Sequence, residues 1–242
     1  NILIADTNSV QYFAKTLPVQ LPIGVVRTGL NLANNKNLIG KKVKLYGTLG
    51  AYYSVPGLKT VTYYLLDDGT SGGTKPIKAI FSESFASSSQ GQFTIQNVNM
   101  PTQLSYVWIP TPSYGMTASG YKSPTDYQAE SWLISPSIDL SHVDSAKLIF
   151  DHALNYVSTI ANKTTYVSVY VSSDYQNGLP STGNWTPVTI PTYPAGTNWT
   201  FISSGALDLD AFAGKSNVRI AFKYVSISGD ACTWEVKNVI VY

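Results

Sequence analysis

The feature of this sequence that most limits its fold is short alternation of apolar and polar residues without a long helical pattern. In residues 42–49 (Lys-Val-Lys-Leu-Tyr-Gly-Thr-Leu), the predicted inward side chains are Val43, Leu45 and Leu49. Residues 165–171 place three valines on one face and two tyrosines with a serine on the other. A period of two residues is that of a half-buried β-strand, and no amphipathic pattern exceeds three helical turns. We therefore predict an all-β protein.

The composition supports the same class and indicates an extracellular setting. Charged residues make up 12% of the 242 residues, against about 25% in ordinary globular domains. Apolar residues make up 44%, which is enough for a substantial core. Tyr, Ser, Thr, Asn and Gly take the place of charges, and Tyr and Thr suit a pleated, half-buried surface. Solubility through hydroxyl and amide groups is typical of extracellular proteins.

The single cysteine, Cys232, excludes an intrachain disulfide. Its strand-like surroundings favour a small buried apolar residue, with a reactive thiol as the alternative. No run of about 18 apolar residues that could span a membrane is present. The chain opens on a strand pattern in residues 1–6 rather than on a signal peptide. We interpret this start as that of a mature or trimmed product whose export signal has been removed.

A change in composition near residues 69–78 divides the chain. Residues 1–77 carry eight basic and three acidic residues, whereas residues 78–242 carry eight basic and eleven acidic residues. Residues 67–76 read Asp-Asp-Gly-Thr-Ser-Gly-Gly-Thr-Lys-Pro, the composition of a turn or short linker. A Walker phosphate loop is excluded because the spacing differs and Pro76 would obstruct the helix that must follow. We predict two domains, 1–77 and 78–242.

The sequence shows no recognisable catalytic arrangement. His142 and His152 lack the spacing of a zinc protease, and one cysteine cannot complete a Cys/His zinc set. A glycosidase needs two carboxylates across a cleft, and nothing marks such a pair among the scattered acids. We therefore predict that the protein is not an enzyme.

The segment 148–156 is the part of the sequence richest in polar chemistry. Its Asp151, His152, Asn155 and Tyr156 would offer hydrogen bonds to a sugar or a metal from the concave face of a sheet. The alternative is an acid and a histidine that pair with their own neighbours at a strand end. We favour the alternative and keep the four residues as a binding hypothesis.

The chain is rich in aromatic residues, with five tryptophans and seventeen tyrosines. Trp132 and Trp234 lie within apolar strand patterns and are predicted to be core residues. Five other aromatic residues lie in Pro-, Gly- and Ser-rich segments typical of loops: Trp108, Tyr114, Tyr121, Trp185 and Trp199. Exposed rings on loops stack on sugars or anchor protein contacts; the alternative is that each ring caps the edge of the core.

A series of short motifs runs through the second half. In order, these are Glu83-Ser-Phe85, Glu130-Ser-Trp-Leu-Ile-Ser-Pro136, Ile138-Asp-Leu140, Leu148-x-Phe150, the strand 166–172 and Trp234-Glu-Val236. In this order and spacing they resemble the choice-of-anchor J and cleaved-adhesin modules of Bacteroidetes surface proteins, which are MAM-like jelly rolls. The Trp-Leu-Ile-Ser-Pro element is the most specific part. The resemblance implies a jelly-roll β-sandwich.

The first half has motifs of its own. They include residues 1–6, residues 19–27 (Val-Gln-Leu-Pro-Ile-Gly-Val-Val-Arg), Gly40-Lys-Lys-Val43 and Pro56-Gly-Leu-Lys59. They resemble a small OB-fold-type domain found beside such modules in Bacteroides proteins. In that family a strand precedes the position of Asn1, so we expect an open or truncated barrel. The predicted fold is a small OB-like open barrel followed by a jelly-roll β-sandwich.

These resemblances imply an exported protein, at the extracellular or outer-membrane surface of a Gram-negative bacterium, with a lipid anchor upstream or a secretion tag. Related adhesin modules hold structural calcium with acids at the first and last strands, and Glu83 and Glu235 match those positions. Lys237 stands where the pattern often has a second acid, and calcium takes six to eight oxygen ligands. We expect a structural calcium site at Glu83 and Glu235 as an implication of the resemblance.

Three functions follow from these observations. The leading hypothesis is a non-catalytic binding or adhesion module that recognises a glycan or a surface protein. The second is a structural spacer or accessory unit of a larger surface protein. The third is nucleic-acid binding by the basic first domain, through Lys42 and Lys44 beside Tyr46, Tyr52 and Tyr53. A solvated lysine face that prevents edge-to-edge aggregation explains those lysines better, so nucleic acid is the least favoured partner.

Overall fold

The computed structural model describes residues 2–5, 16–52, 54–87, 89–158 and 163–242. The chain divides into two compact units, Asn1–Lys78 and Ala79–Tyr242. Across the described residues the structure consists of nineteen strands, two short α-helices and single turns of 3₁₀ helix. The prediction of an all-β protein is confirmed. None of the described helices has the length and hydrophobicity to cross a membrane.

The first unit is one five-stranded sheet with a short helix. Its elements are β1 (Ile2–Ile4), β2 (Leu17–Val19), α1 (Val25–Leu30), β3 (Val43–Tyr52), β4 (Val55–Leu66) and β5 (Ser71–Gly73). The strand order is β1-β2-β4-β3, and β5 also pairs with β4. A small apolar core packs on this sheet, built from Val19, Leu21, Val26, Leu30, Leu58, Val61, Tyr64 and Leu66. Within the described residues β3 pairs with β4 alone and β1 with β2 alone, so the OB-like barrel stays a prediction.

The predicted burial of Leu49 is wrong, because the core of the first unit does not extend to that end of β3. The register between β3 and β4 shifts between Tyr46 and Thr48, where β4 runs from Tyr63 to Lys59. The surplus residues therefore belong to β4, and Leu49 still pairs with Leu58, a core residue. Val43 and Leu45, before the bulge, pack against the core, whereas Leu49, after it, is 76% exposed.

We expect Gly47→Ala to destabilise the first unit by about 1–3 kcal/mol, because overpacking against rigid backbone carries that cost. A Cβ at residue 47 would lie 2.7 Å from the Lys59 carbonyl oxygen. Hydrogen exchange of peptides from β3 and β4 measures the effect. The matched control is Gly50→Ala on the same strand, whose Cβ would meet its nearest atom, Lys59 Cδ, at 3.4 Å. Equal protection in the two variants would contradict this account of the bulge.

The second unit is a sandwich of two antiparallel sheets. The strands of the back sheet are β7 (Thr94–Asn99), β12 (Ala129–Ile134), β14 (Val167–Ser172), β15 (Thr186–Val188) and β18 (Arg219–Ser226). Their order is β15-β14-β18-β12-β7. The strands of the front sheet are β6 (Phe81–Glu83), β8 (Trp108–Thr111), β9 (Gly115–Ser119), β13 (Lys147–Asn155), β16 (Asn198–Ser203), β17 (Leu207–Asp208) and β19 (Thr233–Val241). Their order is β16-β13-β19-β9-β8, with β17 also paired with β13 and β6 with β19.

A two-stranded ribbon, β10 (Tyr121–Lys122) with β11 (Thr125–Asp126), and the single-turn helix α2 (Lys163–Tyr166) complete the unit. The core lies between the two sheets. Phe222 of the back sheet contacts Phe150 and Trp234 of the front sheet, with ring centroids 5.0 and 5.8 Å apart. Val167, Val169 and Val171 are fully buried, as their alternation predicts. Face-to-face sheets joined by alternate inward side chains are a β-sandwich, and this part of the predicted fold is confirmed.

Candidate binding face

Two of the predicted ligand-binding tryptophans already have structural partners. Trp108 is 2% exposed, and its indole N–H donates to the Ser131 carbonyl oxygen at 3.3 Å. Its ring packs on Trp234 at 5.5 Å between centroids. The loop-like flanking sequence was misleading, because Trp108 begins β8 with its side chain facing the core. The prediction of a ligand contact at Trp108 is corrected accordingly.

Trp185 belongs to a second apolar cluster on the back sheet. It is half-buried against Trp132 and Tyr175, with centroids 5.4 and 5.1 Å away. Its indole N–H donates to the Pro180 carbonyl oxygen at 2.9 Å. Because packing and a hydrogen bond hold the ring in place, Trp185 fixes the loop before β15. This arrangement favours the alternative interpretation, in which the ring caps the edge of the core, and a ligand contact at Trp185 stays a prediction.

His152 is a satisfied core histidine. Its Nε2 lies 2.9 Å from the Thr192 carbonyl oxygen and must donate to it, which leaves Nδ1 to accept from the Trp234 indole at 3.4 Å. The residue is fully buried, and this burial lowers the pKa of the imidazole to about 4 despite the opposing effects of Thr192 and Asp151. Both nitrogens are occupied by protein groups, so the predicted binding role of His152 is corrected.

The other polar residues of segment 148–156 lie at or near the outer surface of the front sheet, which we call the front face. Asp151 alternates with the inward Phe150 and His152, and its Oδ2 accepts from Asn238 Nδ2 at 2.8 Å. Asn155 Oδ1 accepts from the Tyr156 N–H at 2.8 Å and fixes the turn after β13. Asp151 and Asn155 are half-buried. Both therefore remain available as polar neighbours of a ligand.

Tyr156 and Trp199 form an exposed aromatic pair. Tyr156 follows β13 and is 65% exposed, and Trp199 lies on β16 and is 44% exposed. Their ring centroids are 5.6 Å apart with planes at 80°. The antiparallel pairing of β13 with β16 brings the two rings together. Tyr114 is exposed as well, at 51%, and lies in the turn between β8 and β9 on the other flank of the front sheet.

Two polar residues with buried side-chain oxygens lie opposite each other on β19 and β9. Glu235 alternates with the core residues Trp234 and Val236, and its register partner on β9 is Thr117. Glu235 is 6% exposed. Among the described residues, neither Glu235 Oε2 nor Thr117 Oγ1 has a hydrogen-bond partner. Burying an unpaired polar atom costs about 1–3 kcal/mol, so these two oxygens are costly where they stand.

The charge state of Glu235 follows from this environment. Burial raises the pKa of its carboxyl group to about 7, and the nearby Lys237 ammonium acts in the opposite direction. Lys237 itself is half-buried on the front face. Its Nζ lies 3.7 Å from the centroid of the Phe201 ring and 3.3 Å from the Ser113 carbonyl oxygen. The ammonium therefore connects β16 with the turn between β8 and β9, which are on opposite sides of β19.

The two predicted calcium ligands do not come together. Glu83 pairs with Val239 on β19, whereas Glu235 lies four residues earlier on that strand, about 13 Å away along a strand that rises by 3.3 Å per residue. Glu83 Oε1 accepts from the Phe85 N–H at 2.9 Å. Within the described ranges no group of three or more His, Cys, Asp or Glu residues could hold a metal ion. This register does not support a calcium site shared by Glu83 and Glu235.

Neither Cys232 nor Ser71 provides a nucleophile. Cys232 is fully buried, and burial raises the pKa of its thiol to about 12, which keeps it protonated. One catalytic motif does occur, contrary to the prediction from the sequence: residues 69–73, Gly-Thr-Ser-Gly-Gly, match the G-x-S-x-G pattern of a hydrolase nucleophile elbow. However, Ser71 begins the edge strand β5 and does not stand between a strand and a helix.

Thr117, Phe201 and the unpaired carboxyl oxygen of Glu235 were not predicted from the sequence. A detectable signal was present, because Glu235 and Thr117 each stand between two apolar residues of a strand. That pattern indicates that each faces away from the core. The unpaired state of their oxygens depends on long-range pairing, which no local pattern contains.

Comparisons with known proteins give one family model and several solved structures of low identity. Residues 1–67 match the family model of a domain of unknown function, DUF6359, and no curated protein matches. The K1 cleaved adhesin domain of Lys-gingipain from Porphyromonas gingivalis W83 is 18% identical, with a TM-score of 0.47 over 67% of this chain and 96% of that domain. The K3 domain of the same protein is 15% identical, with a TM-score of 0.48 over 68% and 99%.

A carbohydrate-binding structure is also similar to this chain. The CBM22-1 xylan-binding domain of Xyn10C from Paenibacillus barcinonensis is 10% identical, with a TM-score of 0.33 over 70% of this chain and 96% of that domain. At these identities and scores, the function of the chain has to be argued from its own residues.

Proposed function

We propose that the second unit is a non-catalytic binding module of an extracellular protein, and that it binds a glycan at the front face. The observation that carries the proposal is the exposed pair formed by Tyr156 and Trp199. Large aromatic rings are mostly buried because their contact with water is unfavourable. Two rings held in mutual contact at the surface offer apolar planes for the C–H face of a sugar ring.

Polar groups beside the aromatic pair fit the same ligand class. Asn155 precedes Tyr156, and Asp151 and Lys237 lie further along the front face on paired positions of β13 and β19. Small-ligand sites combine aromatic walls with a few placed polar groups. A sugar presents both kinds of surface, with hydroxyl groups at its rim and C–H groups on its faces. We infer that the front face recognises a neutral or weakly charged saccharide.

The first unit is proposed as a structural or accessory unit beside this module. Of the residues behind the nucleic-acid hypothesis, Tyr53 lies outside the described residues, and Lys44 and Tyr46 already have neighbours. Lys44 Nζ lies 5.5 Å from the Tyr46 ring centroid, and Tyr46 packs edge-on against Tyr63 at 5.6 Å. Rings with such neighbours are poorly placed to stack on nucleic-acid bases. The inferred setting is the extracellular or outer-membrane surface of a Gram-negative bacterium.

We expect Trp199→Ala and Tyr156→Ala each to weaken glycan binding by at least about tenfold, because truncating an aromatic anchor costs more than about 1.4 kcal/mol. The measurement is a glycan array followed by calorimetric titration of the best oligosaccharide, with a single-stranded oligonucleotide as a nucleic-acid probe. The recovered oligosaccharide should be intact, since no cleavage is expected.

Tyr121→Ala is the matched control, because Tyr121 is 51% exposed on β10 and lies outside the aromatic pair. It should bind like the unmodified protein. A blank array would overturn the glycan proposal in favour of a protein partner, and retention by the oligonucleotide would favour the first unit as a nucleic-acid module. Equal losses in Tyr121→Ala and Trp199→Ala would show that the site lies elsewhere.

A further inference from the structure

The unpaired oxygens of Glu235 and Thr117 stand out against the rest of the sandwich. The other buried polar side chains have partners: for example, Ser131 Oγ donates to Asn97 Oδ1 at 2.6 Å and Ser226 Oγ to the Tyr127 carbonyl at 2.7 Å. Arg219 Nε is also unpaired, but the two terminal nitrogens of its guanidinium donate to carbonyl oxygens. Buried polar groups of folded proteins are nearly always satisfied. A pair of exceptions on directly opposed residues therefore requires an explanation.

We propose that Glu235 and Thr117 form a polar subsite in which one hydroxyl group of a saccharide binds between them. The hydroxyl accepts from Thr117 Oγ1–H and donates to Glu235 Oε2, so both unpaired oxygens are satisfied at once. A hydroxyl group suits this role because it has one donor and two acceptor positions. The proposal rests on the glycan-binding function proposed above and adds the place where hydroxyl groups are recognised.

Charge and ligand number favour a neutral group here. A calcium ion needs six to eight oxygen ligands, and this position offers one carboxylate and one hydroxyl, with the Lys237 ammonium beside them. An anion would be repelled by the Glu235 carboxylate. A neutral hydroxyl avoids both conflicts, because it exchanges hydrogen bonds without adding charge.

The subsite is within reach of the aromatic pair. Ala153 on β13 is the register partner of Glu235, and Tyr156 lies three residues further along the chain, about 10 Å away at 3.3 Å per residue. A short oligosaccharide can therefore contact both places. The proposal requires that a ligand reaches the buried carboxyl group of Glu235. Lys237 is the long, flexible side chain beside that group. The Lys237 ammonium is held only by the Phe201 ring and the Ser113 carbonyl oxygen among its described contacts.

The test compares variants of the full chain against the best oligosaccharide of the array. Thr117→Val removes the hydroxyl and keeps the shape, and Glu235→Met removes the carboxyl at similar length. Each should weaken binding by about tenfold, the usual effect of losing one ligand hydrogen bond to a charged or buried group. Glu235→Gln keeps an acceptor oxygen and should recover part of the affinity. Melting temperatures should not fall for Thr117→Val, because the substitution removes an unpaired buried oxygen.

Two variants on the back sheet are the controls, Thr186→Val and Glu130→Gln, and both should bind normally. If Trp199→Ala loses binding while Thr117→Val and Glu235→Met keep it, the subsite is overturned and the glycan proposal stands. In that case the two oxygens are satisfied by an ordered water only. If the unmodified protein binds no oligosaccharide, both proposals are overturned.

Discussion

Raising the pH from 5 to 9 is expected to lower the free energy of unfolding of the second unit by about 3 kcal/mol through Glu235 alone. The pKa of this carboxyl is about 7 in the folded protein, against an ordinary value of 4.5. Between these two values the folded state binds the proton that the unfolded state has released. The contribution of Glu235 is therefore fully present below pH 4.5 and is lost as the pH rises through 7.

Glu235→Gln should remove this dependence, because an amide does not titrate. Its free energy of unfolding should equal that of the unmodified protein near pH 5 and exceed it by about 3 kcal/mol near pH 9. Tryptophan fluorescence during urea unfolding reports the second unit specifically, since all five tryptophans lie beyond residue 78. A constant difference between the two proteins from pH 5 to pH 9 would contradict the buried position of the carboxyl group.

Lys237→Met provides a second check on the same group. The ammonium of Lys237 opposes the effect of burial on the pKa of Glu235, so its removal should raise that pKa further. The midpoint pH of the fall in the free energy of unfolding should then move upward, and the total fall should become larger. An unchanged midpoint with a loss of stability at every pH would show that Lys237 acts through its contact with the Phe201 ring and not through its charge.

The strands of this protein were predictable because their alternation is local. Val167, Val169 and Val171 are buried because a two-residue period places them on one face, whatever the partner strand is. Leu49 shows the limit of that argument. Leu49 keeps the alternation of Val43 and Leu45 and pairs with Leu58, but it is 76% exposed. Its exposure depends on where the core of the first unit ends, and nothing in residues 42–49 alone indicates that.

The candidate site was predictable only as a set of residue types. Trp199 and Tyr156 were identified from their Pro/Gly-rich and polar surroundings, but their contact requires the pairing of β13 with β16. The same local reasoning placed Trp108 and Trp185 on the surface, where the tertiary structure instead covers their rings. A flanking loop composition describes the backbone and does not determine which side of it a large ring packs against.

His152 gives the opposite pH dependence, and a second experiment isolates it. Its pKa is about 4 in the folded protein against an ordinary value of 6.5, because burial disfavours the charged ring. Here the unfolded state binds the proton first as the pH falls. The contribution of His152 is therefore present above pH 6.5 and is lost as the pH falls towards 4, by about 3 kcal/mol in total.

Proton NMR should follow this titration directly, because the chain has two histidines and His142→Gln assigns their resonances. We expect the His152 ring to titrate near pH 4 and its Nε2 proton to exchange slowly above that pH, since it is donated to the Thr192 carbonyl.

His152→Gln should lose stability at neutral pH, because Gln cannot fill the site of the ring between Phe150 and Trp234. The difference in free energy of unfolding between His152→Gln and the unmodified protein should shrink as the pH falls from 7 to 4.5. The reason is that only the unmodified protein then loses the contribution of a neutral imidazole. A His152 ring that titrates near pH 6.5 would instead mean that solvent reaches it, and segment 148–156 would again be a candidate for direct ligand contact.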